Sequence, residues 1–267
     1  HAMGIPIIYY IAPQLWAWAP KRIYKIKRWI RKVLVVFEFE KKIYADEEID
    51  VAWVGHPLKD MAGLTTAGGK KDANQGLVVS LLPGSRKGEL KMLLDAFQKA
   101  ARLLSKQFPG ISFRLIKAST MPEERYKNFL EDKEIDVRLV RENAYEAIRS
   151  SDFAIVCSGT ATLECAMLGV PMIISYKGTF ISYLLAKKLA TVRFLGLPNL
   201  LLGEKRIPEL LQYDATGEKI AAETARLLTD KAALEKMKAD LSEVSRKLGE
   251  GGANQNAARE TLQILFP

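Results

Sequence analysis

Two short turns carry most of the chemistry that this sequence suggests. Residues 83–86, Pro-Gly-Ser-Arg, follow an apolar run over 77–82, and an amphipathic pattern begins directly after them. Residues 158–160, Ser-Gly-Thr, follow a second apolar run over 153–157 in the same way. A strand that turns through glycine into a helix presents unpaired backbone amides and the positive end of the helix dipole to an anion. The sequence therefore predicts two phosphate-binding turns.

Side chains within these turns suit a nucleoside diphosphate. Arg86 has a planar set of donors that fits phosphate oxygens, and the carboxylate of Glu164 suits the hydroxyl groups of a ribose. Each turn also has a simpler interpretation, in which Ser85, Ser158 or Thr160 caps a helix and Glu164 complements its dipole. We favour one shared diphosphate site because both turns follow strands of one predicted domain.

Several classes of protein are disfavoured by what the sequence lacks. It has no Gly-x-x-x-x-Gly-Lys-Ser/Thr stretch of a nucleoside triphosphatase and no Gly-x-Gly-x-x-Gly stretch of a dehydrogenase. The two cysteines, Cys157 and Cys165, are expected to be reduced core residues. Because His1 and His56 are the only histidines and no Asp-x-Asp pair occurs, no metal site or other cofactor is predicted. No apolar run reaches the roughly 18 to 20 residues that span a bilayer.

Alternating apolar and amphipathic segments predict an α/β protein with a Rossmann-like, doubly wound parallel sheet. Its strands are predicted, in chain order, over residues 77–82, 112–117, 136–140, 153–157 and 171–176. The intervening helices are predicted over residues 89–107, 122–132, 144–150 and 160–168. From about residue 206 onward the composition predicts mainly helices.

A shorter series at the start of the chain predicts part of a second parallel sheet. Its strands are predicted over residues 5–12, 33–37 and 51–54, with helices over the basic stretch 21–32 and over 38–46. Residues 63–76 are rich in Gly, Thr, Lys and Asn, which predicts a linker. The chain is therefore expected to contain two domains.

The formal net charge of +9 is concentrated in residues 21–32, which carry seven positive charges and no acid. Ile23, Ile26 and Ile30 form one helical stripe, so this segment is either a helix on anionic lipid headgroups or a solvated helix packed on its own domain. Nucleic acid is not expected as a partner, because no nucleic-acid-binding module is recognised. The residues predicted to face a membrane are Lys21, Arg22, Lys25, Arg28 and, after the first turn, Met92.

The sequence resembles the lipid A disaccharide synthases, bacterial glycosyltransferases of the two-domain GT-B type. Gly-Ser-Arg and Ser-Gly-Thr occur in other GT-B enzymes, whereas Pro-Gln-Leu-Trp-Ala-Trp and Leu-Pro-Asn-Leu are more specific. The resemblance covers nearly the whole chain, in the same order. It rests on residues 10–18, the Lys-Arg run after them, and residues 39–41, 54–57, 82–86, 158–164 and 197–201.

The resemblance implies a division of the chain. Residues 1–62 are expected to be the end of an acceptor-side domain, with 1–3 a remnant of an expression vector, and 63–76 the linker. Residues 77–245 are expected to bind the UDP-sugar. Residues 246–267 are expected to form a helix that packs on the N-terminal domain or exchanges between the subunits of a homodimer.

The resemblance also implies an inverting reaction. UDP-2,3-diacylglucosamine and 2,3-diacylglucosamine 1-phosphate (lipid X) are expected to give a β-1,6 disaccharide and UDP, without a metal, in the cytoplasm on the anionic inner membrane. The general base is expected in a segment before Gly4, so this chain is expected to be inactive alone. Two alternatives remain: another UDP-sugar GT-B enzyme, either a transferase or a 2-epimerase, or a non-catalytic UDP-binding module.

Residue roles follow by the same resemblance. Arg86 is expected to support catalysis by stabilising the leaving diphosphate, Glu89 to orient Arg86 or contact the donor sugar, and Glu164 to bind ribose. His56 and Asn199 are expected at the cleft for donor and acceptor. The full set of residues predicted to bind UDP is Gly84, Ser85, Arg86, Glu89, Val140, Arg141, Ser158, Gly159, Thr160, Ala161, Thr162 and Glu164.

Overall fold

The structure, a computed structural model, describes residues 4–63, 76–178 and 193–266. The described residues form two compact units. The first contains residues 4–63, 193 and 245–266, and the second contains residues 76–178 and 194–244. Nearly all of the predicted linker lies outside the described residues.

The first unit contains a three-stranded parallel sheet in the order β1-β2-β3. Its strands are β1 (Ile8–Tyr10), β2 (Lys32–Val35) and β3 (Val51–Trp53), and its first four helices are α1 (Leu15–Trp18), α2 (Ile23–Trp29), α3 (Glu38–Ala45) and α4 (Leu58–Gly63). A 3-10 turn over Pro20–Arg22 leads into α2. Ile23 and Ile26 are buried against β2, while the basic side chains of α2 and of the preceding 3-10 turn are exposed. The isoleucine stripe therefore packs on its own unit.

The second unit contains six parallel strands, and those over residues 78–82, 153–157 and 172–176 are the almost continuous apolar runs that a sheet covered on both faces requires. The strands are β4 (Val78–Leu82), β5 (Ser112–Ile116), β6 (Val137–Val140), β7 (Phe153–Cys157), β8 (Met172–Tyr176) and β9 (Glu209–Leu211). The helices are α5 (Lys87–Gln107), α6 (Lys127–Leu130), α7 (Ala144–Arg149), α8 (Thr160–Met167), α9 (Leu197–Leu202), α10 (Gly217–Thr229) and α11 (Lys231–Lys247).

Strand order creates a switch point in this sheet. The order is β6-β5-β4-β7-β8-β9, so the chain moves outward from β4 to β6 and returns to place β7 on the other side of β4. In doubly wound sheets, ligands bind at the carboxyl ends of the strands where the order reverses. The two turns singled out in the sequence directly follow β4 and β7.

The last helix, α12 (Ala253–Leu265), packs on the first sheet within the same chain. Ala257 is buried with Leu34 and Val54, and Nδ2 of Asn256 donates to the carbonyl of Val54 at 3.2 Å. An ion pair of 2.8 Å joins Lys32 to Glu260. None of the helices in the described ranges is long and apolar enough to cross a bilayer.

The segment after residue 206 is mainly helical, as predicted, but it begins with β9, a three-residue strand that carries Glu209 and that the sequence did not predict. Residues 193–195 are irregular, and residues 197–202 form a helix. The predicted helix over 122–132 is a 3-10 turn, Glu123–Tyr126, followed by the single turn of α6.

Candidate functional site

A cavity of about 510 Å³ opens at the carboxyl ends of β4, β5 and β7. Its walls are the turns that follow four neighbouring strands of the second unit, together with the first turns of α5, α7 and α8. Three cations, Arg86, Lys117 and Arg141, and three carboxylates, Glu89, Glu142 and Glu164, line it. Of the predicted residues, the structure brings together Gly84, Ser85, Arg86, Glu89, Arg141, Ser158, Gly159, Thr160, Ala161 and Glu164.

Two residues predicted to bind UDP do not line the cavity. Val140 ends β6 and is half-buried, and its carbonyl accepts from the amide of Lys117. Thr162 is fully buried, and its hydroxyl donates to the carbonyl of Gly159 at 2.7 Å. This hydrogen bond stabilises the start of α8. Because the hydroxyl is already paired and has no access to solvent, it cannot contact a ligand in the cavity.

The carboxylate of Glu89 accepts hydrogen bonds from the turn after β4. Oε2 of Glu89 accepts from the amides of Ser85 and Arg86, each at 3.2 Å, and Oε1 accepts from Nη1 of Arg86 at 3.0 Å. This is the reciprocal half of a capping box, in which a glutamate in the first turn binds the amide that begins the helix. Two of the amides that the sequence predicted to be available to a ligand, those of Ser85 and Arg86, are therefore occupied by the protein's own carboxylate in this structure.

The turn after β7 is open. The amide of Ser158 donates to the carbonyl of Ser175, and its hydroxyl donates to the carbonyl of Leu195 at 2.9 Å. The next three amides, of residues 159–161, have no hydrogen-bond partner among the described residues, and they lie at the positive end of the α8 dipole. The second turn therefore has the geometry of an anion site.

Tyr145 lines the cavity and was missed in the sequence. Its hydroxyl donates to Oε1 of Glu164 at 3.4 Å, from the first turn of α7. Burial raises the pKa of Glu164, and the hydrogen bond from Tyr145 lowers it. The available signal was positional: an aromatic residue directly after the turn that follows β6 lies at the same edge of the sheet as both phosphate turns.

Arg141 stands at the rim of the cavity. It is exposed and forms a two-point ion pair with Glu123, in which its Nε donates to Oε2 at 2.8 Å. The hydroxyl of Thr120 donates to the carbonyl of Ser85 at 2.9 Å, which ties the loop after β5 to the turn after β4. The side chain of Arg141 therefore reaches the cavity already paired with a carboxylate.

Asn199 is not at a ligand site. It is fully buried in α9, its Nδ2 donates to Ile207 and to Glu209 at 2.7 Å each, and its Oδ1 accepts from the amides of Arg206 and Ile207. The carboxylate of Glu209 also accepts from the amides of Leu195 and Gly196. The predicted contact with donor or acceptor is corrected: Asn199 braces the chain between α9 and β9.

His56 lies in the first unit, where its contacts are with neighbouring residues of the same unit. Its Nδ1 accepts from the amide of Leu58 at the start of α4, and its ring lies 5.3 Å from that of Phe37. Burial lowers the pKa of His56. In the same unit, Nε1 of Trp16 donates to the buried carboxylate of Glu40 at 2.9 Å. Among the described residues, no group of three or more His, Cys, Asp or Glu side chains is placed to hold a metal ion.

Comparisons with known sequences agree on one family. Residues 2–264 match the family model described as lipid-A-disaccharide synthetase. The lipid-A-disaccharide synthase of Geobacter metallireducens is 38% identical over 267 residues, which cover 98% of this chain and 70% of that protein. The enzyme of the same name from Syntrophus aciditrophicus is 39% identical over 268 residues, with the same coverage of 98% and 70%.

Solved structures with low sequence identity share the fold. An S. aureus MnaA–UDP co-structure matches with a TM-score of 0.67 at 13% identity, over 99% of this chain and 70% of that chain. A UDP-GlcNAc 2-epimerase from Neisseria meningitidis, bound to UDP-GlcNAc, matches with a TM-score of 0.62 at 14% identity, over 98% and 71%. The predicted fold class, a parallel α/β architecture of GT-B type, is confirmed.

Proposed function

Because the chain belongs to the lipid-A-disaccharide synthetase family of glycosyltransferases, we propose that its second unit binds the UDP moiety of a diacylglucosamine donor. One observation carries the proposal: the turns after β4 and β7 border a single cavity at the switch point of the sheet. A volume of about 510 Å³ suits a ligand of nucleotide size. The UDP and UDP-GlcNAc in the two structural neighbours support the choice of nucleotide.

The cavity suggests how such a ligand is oriented. The diphosphate binds the open amides of residues 159–161 and the exposed guanidinium of Arg86, where the α8 dipole and a fixed positive charge act on the same anion. The ribose hydroxyls donate to the carboxylate of Glu164. The uracil then lies toward Arg141 and the turn that follows β6.

The proposed reaction is a single displacement with inversion. The donor is UDP-2,3-diacylglucosamine and the acceptor is 2,3-diacylglucosamine 1-phosphate, whose 6-hydroxyl attacks the anomeric carbon while a base takes its proton. The product is the β-1,6 disaccharide, and UDP leaves. Negative charge grows on the leaving diphosphate, and Arg86 with the α8 amides stabilises it; one such donor is worth about 3 kcal/mol. The proposal uses no metal or other cofactor.

The whole reaction needs more than the donor site. The chain spans about 70% of the length of its curated relatives, and we assign the general base to none of the described residues. We therefore propose that this chain alone transfers little sugar, that residues 77–245 act as the donor domain, and that residues 1–62 and 246–267 act on the acceptor side. A homodimer stays a prediction.

An exposed basic surface on the first unit supports a position at a membrane. Its four cations lie on the segment that contains Tyr24 and Trp29, whose side chains are 62% and 46% exposed. Aromatic rings and cations together favour the headgroup region of an anionic bilayer, with about 1 kcal/mol for each basic residue. We propose that this surface binds the cytoplasmic face of the inner membrane. The residues of this surface are Lys21, Arg22, Lys25 and Arg28, and a role for the half-buried Met92 on α5 stays a prediction.

Calorimetric titration of the chain with UDP, UMP and ADP tests the donor site. UDP is expected to bind more tightly than UMP, which lacks the second phosphate, and than ADP, which has the wrong base. Arg86→Ala and Glu164→Ala are each expected to weaken UDP binding about tenfold or more, because each removes a charged hydrogen-bond partner. The control Asp95→Asn removes an exposed charge farther along α5.

Two results would contradict the proposal. One is the absence of UDP binding to the unaltered chain, and the other is equal affinity for UDP in the two variants and the control. Conversion of UDP-GlcNAc to its 2-epimer by the chain would favour the epimerase alternative instead.

A further inference from the structure

The turn after β4 is held by a largely buried carboxylate of the protein itself. Three hydrogen bonds of 3.0 to 3.2 Å join Glu89 to the amides of Ser85 and Arg86 and to the guanidinium of Arg86. The side chain of Glu89 is 12% exposed, whereas that of Arg86 is 84% exposed. The exposed side chain of Arg86 is therefore held at Nη1 by the less exposed carboxylate of Glu89.

Gly84 is required by this carboxylate. The residue has a φ of +114°, and a Cβ built on it would lie 2.8 Å from both Cβ and Oε2 of Glu89, and 3.3 Å from Sγ of Cys157. Such distances are shorter than van der Waals contact, so any side chain at position 84 would push Glu89 away from the two amides. The glycine thus makes room for an internal anion at the place where the sequence suggested a ligand phosphate.

We propose that Glu89 is a positioning residue, which fixes the 84–86 turn and orients the Arg86 guanidinium toward the diphosphate subsite, so that this turn binds a diphosphate through the arginine side chain and not through the amides of Ser85 and Arg86. The inference rests on the proposed function and deepens it. The two turns then contact the diphosphate in different ways. The amides of residues 159–161 bind it directly, and the first turn contributes the oriented guanidinium of Arg86.

The ion pair leaves most of the arginine available. Glu89 accepts from Nη1 only, and the described contacts of Arg86 leave Nε and Nη2 for a ligand. Fixing one nitrogen of the planar group also sets the plane of the others, which lowers the entropy lost when a phosphate binds. Loss of Glu89 is therefore expected to weaken binding of a diphosphate although it removes a negative charge from the cavity.

Backbone NMR of the full chain tests which amides bind the anion. During titration with inorganic pyrophosphate, the amide resonances of residues 159–161 and the Nε–H resonance of Arg86 are expected to move. The backbone amides of Ser85 and Arg86 are expected to move much less. Equal movement of the Ser85 and Arg86 amides would overturn the proposal, because the first turn would then bind phosphate through its backbone.

A comparison of variants tests the contact without any ligand. The amide resonances of Ser85 and Arg86 are expected to shift strongly in Glu89→Ala and much less in Asp95→Asn, which changes an exposed carboxylate on the same helix. Amide resonances of Ser85 and Arg86 that are the same in Glu89→Ala as in the unaltered chain would overturn the proposal even if UDP fails to bind. Failure of the proposed function is thereby distinguished from failure of the role of Glu89.

A double-mutant cycle tests whether Glu89 acts through Arg86. Glu89→Ala is expected to weaken UDP binding about tenfold, to change uridine binding less than about twofold, and to add nothing in a background of Arg86→Ala. Glu89→Gln, which keeps an acceptor for the amides, is expected to show a smaller loss and replaces the alanine variant if that variant does not fold. Asp95→Asn on the same helix is the charge-matched control. Tighter UDP binding by Glu89→Ala, or additive losses, would overturn the proposal.

Discussion

The hydroxyl of Tyr145 donates a hydrogen bond of 3.4 Å to Oε1 of Glu164, which links the first turn of α7 to α8 across the floor of the cavity. Burial and the charge of Glu164 raise the pKa of Tyr145 to about 12, so the hydroxyl remains a donor near neutral pH. Burial raises the pKa of Glu164, and the tyrosine hydrogen bond opposes that shift. The ionised form of the proposed ribose-binding carboxylate therefore depends on a tyrosine that no motif in the sequence marks.

Replacement of Tyr145 by phenylalanine is expected to change the pH dependence of UDP binding. Without the donor, the pKa of Glu164 rises further, and the carboxylate that accepts ribose hydroxyls is present only at higher pH. Calorimetric titrations from about pH 5 to pH 8 should show the acidic decline in affinity displaced to higher pH, with little change at the alkaline end. Tyr213 is 73% exposed, and Tyr213→Phe is the control. An unchanged pH profile would count against this role.

Glu164→Gln is expected to raise stability at neutral pH while it weakens UDP binding. The folded protein raises the pKa of Glu164, so it holds the proton more tightly than the unfolded chain, and stability is lost as the pH rises through the folded-state pKa. Glutamine has no ionisable group and avoids this loss, so the stability gained by Glu164→Gln should disappear at about pH 4. Thermal unfolding of the variant and the unaltered chain at neutral pH and at about pH 4 measures this gain. Glu124→Gln, which changes an exposed carboxylate, is the control. A gain that is equal at both pH values would contradict the explanation.

Gly84→Ala is expected to destabilise the protein by about 1 to 3 kcal/mol, because it places a side chain at a φ of +114° and against Glu89. Gly88→Ala, four residues later in α5, offers a matched control. A Cβ at position 88 meets no atom within 4 Å, so this change is expected to stabilise the helix by about 0.5 to 1 kcal/mol. Urea denaturation of the two variants should give opposite signs; the same sign for both would refute the argument.

Asn199→Ala is expected to cost at least about 2 kcal/mol of unfolding free energy, because buried partners of both its amide atoms would lose their hydrogen bonds. Weakened UDP binding is expected only as an indirect effect, since Glu209, which Asn199 contacts, also holds the amide of Leu195. Chemical denaturation and calorimetry on the same samples separate the two effects. Asn128→Ala, at an exposed position in α6, is the control, and an equally small loss for both variants would contradict the prediction.

Local sequence signals located most of the second sheet and both turns. The five strands from β4 to β8 are short apolar runs bounded by turn residues, and such runs specify buried strands wherever they occur in an α/β chain. The stripe that includes Leu90, Leu93 and Phe97 specified α5 for the same reason. In contrast, β9 was missed because its three residues include Glu209, whose carboxylate is paired by Asn199, a contact that no local pattern records.

The sequence by itself determined which segments form strands and helices, where glycine turns interrupt them, and to which family the chain belongs, because these depend on residues close together along the chain. Only the tertiary structure decided that Glu89 fills the first turn, that the second turn stays open, and that Tyr145 rather than Asn199 lines the cavity. The physical reason is that hydrogen-bond donors and acceptors are satisfied by whichever partners lie nearest in space, and many of those partners are remote in sequence.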